Sequence, residues 1–214
     1  LSLKPRGYGR KDLVVHIAGN HRLKKPAERK TITNIPNSWI FSTMVFTYQW
    51  DPKLEEGNSR ELRTKLVDDI KKNYDQAAKI LPHVLTALEN VPKHTFMDAD
   101  ETPGSSRSQK IERIYTWDKC MNVVEKTYVG PSGYLGLRLS MLKIDVGMDV
   151  LVIGAFGYNE SLVSQLVGPQ GKVTVVDYSK PRIDELRTLM RQIAPERNIE
   201  YHHVNNGSDM QNKV

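Results

Sequence analysis

The strongest constraint on the fold is an alternation of short apolar strands with helices in the second half of the chain. Val150 to Ile153 and Lys172 to Val176 have the pattern of strands, and Ser161 to Val167 between them has that of a helix. A helix over Pro181 to Ile193 and a strand over Ile199 to Val204 continue the alternation. This order predicts right-handed crossovers and a parallel sheet. Both faces of the strands are apolar, which predicts helices on both sides of the sheet.

A glycine turn and an acidic residue stand where sheets of this kind bind adenosine-containing ligands. Gly154 follows the first strand, and Asp177 follows the second strand, 23 positions further along the chain. In such sheets the glycine lets the backbone approach the ligand, and the acid accepts hydrogen bonds from the ribose hydroxyls. The pair predicts a nucleotide-type site at the carboxyl ends of these strands.

Two stretches carry a family resemblance. Val84 to Phe96 contains a helical segment that leads into Val-Pro-Lys-His-Thr-Phe, and Gly168 to Asp177 contains a loop and the second strand. Both are similar to protein-L-isoaspartate O-methyltransferases, in which a helix leads into Val-Pro-Arg-His-x-Phe. The resemblance extends from residue 84 to about residue 207. It implies an α/β fold, a Rossmann-like methyltransferase domain with flanking helices, and S-adenosylmethionine as the cofactor.

The cofactor turn departs from the family pattern. The family has an acid two residues before a Gly-x-Gly-x-Gly turn, and the resemblance places that acid at Val152 and the second and third glycines at Phe156 and Tyr158. A phenyl ring at residue 156 would clash with the ligand or fill its space. The family's later acid, near the adenine, aligns with Asn206. We therefore expect a vestigial cofactor site, with no catalytic residue assigned, at Gly154, Phe156, Gly157, Asp177 and Asn206.

Two further departures concern the substrate and the extent of the domain. The family's Thr-Ile-Ser-x-Pro substrate segment falls near Val129 to Leu135, which reads Val-Gly-Pro-Ser-Gly-Tyr-Leu. The family's domain continues through four more strands, so the resemblance implies a domain that is incomplete at its C-terminus. The family's strand order leaves an open edge at Val150 to Ile153, which soluble proteins avoid. We expect a strand or helix of another chain, or a continuation of this one, to cover that edge.

The positive charge lies in an N-terminal arm. Residues 1 to 30 hold nine basic and two acidic residues, a net charge of +7, whereas the remainder holds 22 basic and 23 acidic residues, a net charge of −1. Basic residues interleaved with Gly, Pro and aromatic residues suit an extended segment on phosphates, although a solvated tail is the alternative. The predicted RNA-binding residues are Lys4, Arg6, Arg10, Lys11, Arg22, Lys24 and Lys25.

Three regions follow from these patterns. Residues 1 to 58 form a basic, aromatic-containing extension with a short strand over Leu13 to Ile17. Residues 59 to 83 form an amphipathic helix, with Ser59 as its cap and Pro82 as its stop, and residues 84 to 214 form the partial methyltransferase-like domain. Residues 98 to 110 have the composition of an exposed loop. The five aromatic residues between Trp39 and Trp50 require burial, either on this chain or on a partner subunit.

Several classes of site and compartment are disfavoured. The single cysteine, Cys120, cannot form an internal disulfide, and we expect it to be a buried structural residue. His202 and His203 point to opposite faces of a strand, so no metal site is expected. No apolar run has the roughly 18 to 20 residues that a membrane span requires, so we expect no membrane association.

These observations favour a non-catalytic, methyltransferase-fold subunit of a large RNA-containing assembly in the mitochondrial matrix, such as the mitochondrial ribosome. No cofactor is expected in that case. The sequence begins with Leu1, which is consistent with a removed mitochondrial presequence or with an earlier start. The alternative is an active, S-adenosylmethionine-dependent protein carboxyl (L-isoaspartate) O-methyltransferase, for which a cytoplasmic location stays open.

Overall fold

A parallel sheet forms the centre of the molecule. The computed structural model describes residues 13–15, 50–97, 106–122 and 128–205 of the chain. Four strands run parallel in the order β1-β4-β5-β6: β1 (Leu13–Val15), β4 (Asp149–Ile153), β5 (Lys172–Asp177) and β6 (Ile199–His203). A small antiparallel pair consists of β2 (Met121–Asn122) and β3 (Tyr128–Val129). The predicted α/β, Rossmann-like architecture with a parallel sheet is confirmed.

Helices in the described part of the chain connect the strands of the sheet in sequence. Four come before β4, namely α1 (Ser59–Asn73), α2 (Pro82–Asn90), α3 (Arg107–Ile114) and α4 (Ser132–Leu142). Two connect the strands, namely α5 (Tyr158–Val167) and α6 (Lys180–Ile193). None of these helices is both long enough and apolar enough to cross a membrane. The crossovers β4-α5-β5 and β5-α6-β6 are the units that the sequence pattern predicts.

One large hydrophobic core lies on one face of the sheet. Val152 and Val175 point to this face and are completely buried, together with Leu162 of α5 and Ile183 of α6. Alternate strand residues point to the other face, because successive side chains in a strand lie on opposite sides. There a small separate cluster forms from Leu151, Ile153, Val176 and Val204. Among the described residues the predicted helical cover is therefore confirmed for one face only.

The edge of β4 is paired by the chain itself. Leu13, Val14 and Val15 of β1 lie opposite Val150, Leu151 and Val152 in a parallel register. The expectation that another chain or a C-terminal continuation covers this edge is therefore wrong for these residues. The short apolar run predicted over Leu13 to Ile17 is long enough to provide the missing backbone partners. Strands β4 and β5 thus both have neighbours on each side.

Some boundaries differ from the sequence prediction because capping groups were misassigned. Asn58 rather than Ser59 is the N-cap of α1, and Pro82 is the first residue of α2 instead of the end of the preceding helix. Helix α3 begins inside the predicted loop over residues 98 to 110. Ser106 accepts a hydrogen bond from the Gln109 amide, and the Gln109 side chain accepts one from the Ser106 amide. This capping box is a helix-start signal that the polar composition of the loop concealed.

Two individual residues can also be compared with expectation. Cys120 is exposed, so its assignment as a buried structural residue is wrong. Trp50 packs edge-on against Phe96, with 6.0 Å between the ring centroids, and this supports burial of that aromatic ring on the chain itself. The other aromatic residues of that segment lie outside the described residues. The division of the chain at residues 58 and 83 stays a prediction.

The loop between α5 and β5 yields a test of the packing. A Cβ atom on Gly171 would lie 2.5 Å from Val167 Cβ and 2.6 Å from the Met148 carbonyl oxygen, neither of which is a flexible side-chain end. We expect Gly171→Ala to lower the free energy of unfolding by about 1 to 3 kcal/mol in urea denaturation, because the loop must shift. Gly130→Ala is the matched control, since its Cβ would meet its nearest atom at 3.9 Å. Equal stability of the two variants would contradict the packing described here.

Candidate functional site

The predicted turn and acid come together at the carboxyl ends of β4 and β5. Because these strands are parallel neighbours, Gly154 and Asp177 lie at the same edge of the sheet. The Oδ2 atom of Asp177 accepts a hydrogen bond from the Ala155 amide at 2.8 Å, and its Oδ1 atom accepts one from the Ser179 amide at 2.7 Å. Both carboxylate oxygens of Asp177 are therefore engaged by the chain's own backbone.

The side chain of Phe156 lies against Gly154. Gly154 has a φ of +98°, a conformation that strongly favours glycine. A Cβ atom on Gly154 would lie 2.6 Å from Cε2 of the Phe156 ring, so the ring occupies the space directly beside the turn. The phenyl group thus lies directly beside the turn, in space that a glycine at residue 156 would leave open.

The next two residues of the turn, Gly157 and Tyr158, pack against Phe96. Gly157 also has a positive φ, of +82°, and a Cβ atom there would lie 2.7 Å from Cδ1 of Phe96. Tyr158, at the third glycine position, is completely buried with its ring centroid 6.4 Å from that of Phe96. The Val-Pro-Lys-His-Thr-Phe segment therefore supports the turn through its final residue.

Two charged residues that the sequence analysis missed hold the backbone of the turn. The buried carboxylate of Glu160 accepts hydrogen bonds from the Phe156 amide at 3.1 and 3.3 Å. Arg182 of α6 donates to the carbonyl oxygens of Ala155 and Phe156 at 3.2 and 3.4 Å. Glu160 is the third residue of α5, a position from which acidic side chains reach back to the start of the helix. This position was the sequence signal that could have identified Glu160.

Burial changes the acidity of Glu160. Removal from solvent raises the pKa of its carboxyl from the ordinary 4.5 to about 7, although nearby backbone amides and the Arg182 charge act in the opposite direction. The carboxyl of Glu160 therefore changes its protonation state near neutral pH while it holds the turn.

The neighbouring Lys93 and His94 are engaged inside the protein. Lys93 is completely buried, donates to the Ser132 hydroxyl at 3.0 Å, and lies 5.7 Å from the centre of the Tyr158 ring. Burial lowers the pKa of its amine to about 7. The two ring nitrogens of His94 lie 2.6 Å from the Tyr115 hydroxyl and 2.9 Å from the Leu54 carbonyl oxygen. These contacts hold the side chains of Lys93 and His94 inside the protein.

Other predicted positions lie apart from this constellation or outside the described part. Val129 belongs to β3, and Ser132 begins α4, where its hydroxyl meets Lys93. Within the described residues no group of three or more His, Cys, Asp or Glu side chains could hold a metal ion. Asn206 and the basic arm residues lie outside the described residues, so their assignments stay predictions.

The pH dependence of stability tests the buried position of the Glu160 carboxyl. Its carboxyl binds a proton more tightly in the folded chain than in the unfolded chain, so its contribution to stability falls as pH rises from about 4.5 to 7. Glu160→Gln removes this dependence. We expect the stability of the variant relative to wild type to increase by about 3 kcal/mol between pH 4 and pH 8, measured by urea denaturation. Glu196→Gln, at an exposed position, controls for the loss of one carboxyl group. A flat difference for Glu160→Gln would contradict the buried environment.

Comparison with known proteins identifies the family. The model of the family Protein-L-isoaspartate(D-aspartate) O-methyltransferase (PCMT) matches residues 62–208. A protein-L-isoaspartate O-methyltransferase of Methanococcoides burtonii is 31% identical over 109 residues, covering 50% of this chain and 47% of that protein. The corresponding protein of Methanococcus maripaludis is 29% identical over 114 residues, covering 53% and 47%. The chain thus spans about half the length of these curated relatives.

Solved structures agree on the fold. A protein-L-isoaspartate O-methyltransferase superposes with a TM-score of 0.51 at 22% identity, covering 66% of this chain and 41% of that one. A PCMT from Plasmodium falciparum, in complex with S-adenosyl-L-homocysteine, gives a TM-score of 0.53 at 14% identity, covering 73% and 69%. The family match runs from within α1 to beyond β6, more than half of the chain, and the protein therefore belongs to the PCMT methyltransferase family.

Proposed function

We infer that this chain is a non-catalytic member of the PCMT family that serves as a structural subunit of a larger assembly. The observation that carries this inference is the position of the Phe156 ring, whose Cε2 atom would lie 2.6 Å from a Cβ atom on Gly154. Each Asp177 carboxylate oxygen accepts one backbone amide and keeps a lone pair that a ribose could use, so the argument against the cofactor is steric.

The residues at the turn do not fit S-adenosylmethionine. The Phe156 ring fills the space beside Gly154, and Tyr158 is buried where the family pattern has its third glycine. The Phe156 amide, which a ligand could otherwise use, already donates to Glu160. A bound cofactor would have to displace these contacts at once, and each displaced hydrogen bond to a charged group is worth about 1.5 to 3 kcal/mol.

The assembly proposed here contains RNA and lies in the mitochondrial matrix, with the mitochondrial ribosome as the leading candidate. Support comes from the distribution of charge, with +7 in residues 1 to 30 and −1 in the remainder. A basic arm on a nearly neutral body suits contact with phosphates through the arm and with protein subunits through the body.

The alternative is an active carboxyl methyltransferase that uses S-adenosylmethionine. Its support is the family itself, together with Asp177 at the end of β5 and the positive φ angle at Gly154, the first glycine of the family's turn. Tyr178, next to Asp177, is 83% exposed and offers an aromatic face to a ligand. The relatives are described as protein-L-isoaspartate O-methyltransferases, so the isoaspartyl carboxylate is the substrate of this alternative.

Calorimetry separates the two proposals. We expect the full chain to bind S-adenosylmethionine no more tightly than about 1 mM, because the turn is closed by its own side chains. The Methanococcus maripaludis relative, titrated in the same buffer, is the positive control. Micromolar binding by this chain would overturn the non-catalytic reading and favour the enzyme.

Replacement of the seven predicted RNA-binding residues Lys4, Arg6, Arg10, Lys11, Arg22, Lys24 and Lys25 with glutamine tests the RNA part of the proposal and leaves β1 in place. We expect these substitutions to weaken binding to an oligouridine strand and to flatten its salt dependence, because each phosphate contact on a single strand contributes a slope of about 0.7 in the logarithmic plot. Filter binding at several salt concentrations provides the measurement. An unchanged slope would show that the arm is a solvated tail.

A further inference from the structure

A concave groove of about 330 Å³ lies between α6 and β6 and shares no residue with the cofactor turn. Its apolar lining comes from Met190 of α6, from Ala194 at the C-cap of that helix and from Ile199 of β6. Arg187 and Arg191, one helical turn apart on α6, add positive charge along one side. The groove therefore combines an apolar floor with a cationic rim.

The charges around the groove are unevenly compensated. Arg187 pairs with Asp184 at 2.9 Å, and Glu200, across the groove, pairs with Lys172 at 2.8 Å. Arg191 is exposed, and no ion pair to it is found among the described residues. The Arg197 guanidinium is buried, lies 4.1 Å from the Trp50 ring centre and donates to the Gln165 side-chain oxygen at 2.9 Å. A ligand with a negative charge beside Arg191 would complete this balance.

The groove runs beside the outer edge of the sheet. The Val173 amide donates to the Asn198 carbonyl, and the Val204 amide donates to the Asp177 carbonyl, so alternate backbone groups of β6 point away from β5. The Tyr201 carbonyl is one of these, and Arg187 donates to it at 2.7 Å. In the described part of the chain β6 pairs with β5 alone. An extended segment that donates its own amide to the Tyr201 carbonyl would displace Arg187 from it and free Arg187 to pair with a carboxylate.

We propose that this groove binds a short, extended, acidic segment of a partner protein. Its carboxylates pair with Arg191 and compete for Arg187, and its apolar side chains contact Met190, Ala194 and Ile199. The aliphatic floor formed by Met190, Ala194 and Ile199 favours a peptide over RNA, because RNA bases are bound mainly by stacking on aromatic rings. This interaction is independent of whether the cofactor turn binds a ligand.

The test uses the full chain and fluorescence anisotropy. The probe is a fluorescein-labelled peptide of sequence Val-Glu-Val-Glu-Val, compared with Val-Lys-Val-Lys-Val and with a labelled 12-nucleotide oligouridine. We expect Arg191→Glu to weaken binding of the acidic peptide about tenfold or more. Arg60→Glu, at an exposed position on α1, changes the net charge equally and is expected to alter binding less than about twofold. The Arg60→Glu variant controls for nonspecific attraction of the acidic peptide to the basic arm.

Arg191→Gln, with Arg60→Gln as its partner control, repeats the comparison without placing a negative charge near the C-terminal end of α6. Circular dichroism establishes that each variant is folded. Loss of acidic-peptide binding in both Arg191 variants supports the proposal. Equal effects at residues 60 and 191, or no binding by the wild type at 1 mM peptide, would overturn it. A loss confined to oligouridine binding would also overturn it, because the groove would then be a phosphate site.

Discussion

The Asp177 carboxylate joins the ends of the two central strands through two backbone amides. Its hydrogen bonds to Ala155 and Ser179 fix the turn after β4 against the turn after β5. Hydrogen bonds to an ionised acceptor are shorter and stronger than neutral ones, and here each satisfies an amide that would otherwise face a partly buried site. The other contacts of the turn depend on these two hydrogen bonds, because they set the path of the chain from Gly154 to Gly157.

The contacts around these hydrogen bonds come from the chain's own side chains. Phe156 fills the space beside Gly154, Glu160 accepts from the Phe156 amide, and Arg182 binds two carbonyl oxygens of the turn. Glu160 accepts the hydrogen bond from the Phe156 amide while fully buried, and the loss of solvent raises the pKa of its carboxyl to about 7. Together these contacts hold the backbone of the turn in one conformation.

The sequence predicted the parallel sheet and the position of Gly154 and Asp177. These features depend on local patterns, namely strand and helix periodicity and the spacing of a glycine and an acid. Glu160 and Arg182 were missed because their roles require knowing that α5 and α6 begin at the same edge of the sheet. The position of β1 beside β4 was missed for a similar reason, because strand order is a long-range property that a three-residue run does not reveal.

The central claim is that the chain's own side chains close the cofactor turn, and a crystal structure grown with several millimolar S-adenosyl-L-homocysteine tests it most directly. We expect the Phe156 ring to stay against Gly154 and both oxygens of Asp177 to remain bonded to the Ala155 and Ser179 amides, with no ligand density at the turn. A ligand whose ribose hydroxyls lie on Asp177, with the Phe156 ring swung away from Gly154, would contradict it.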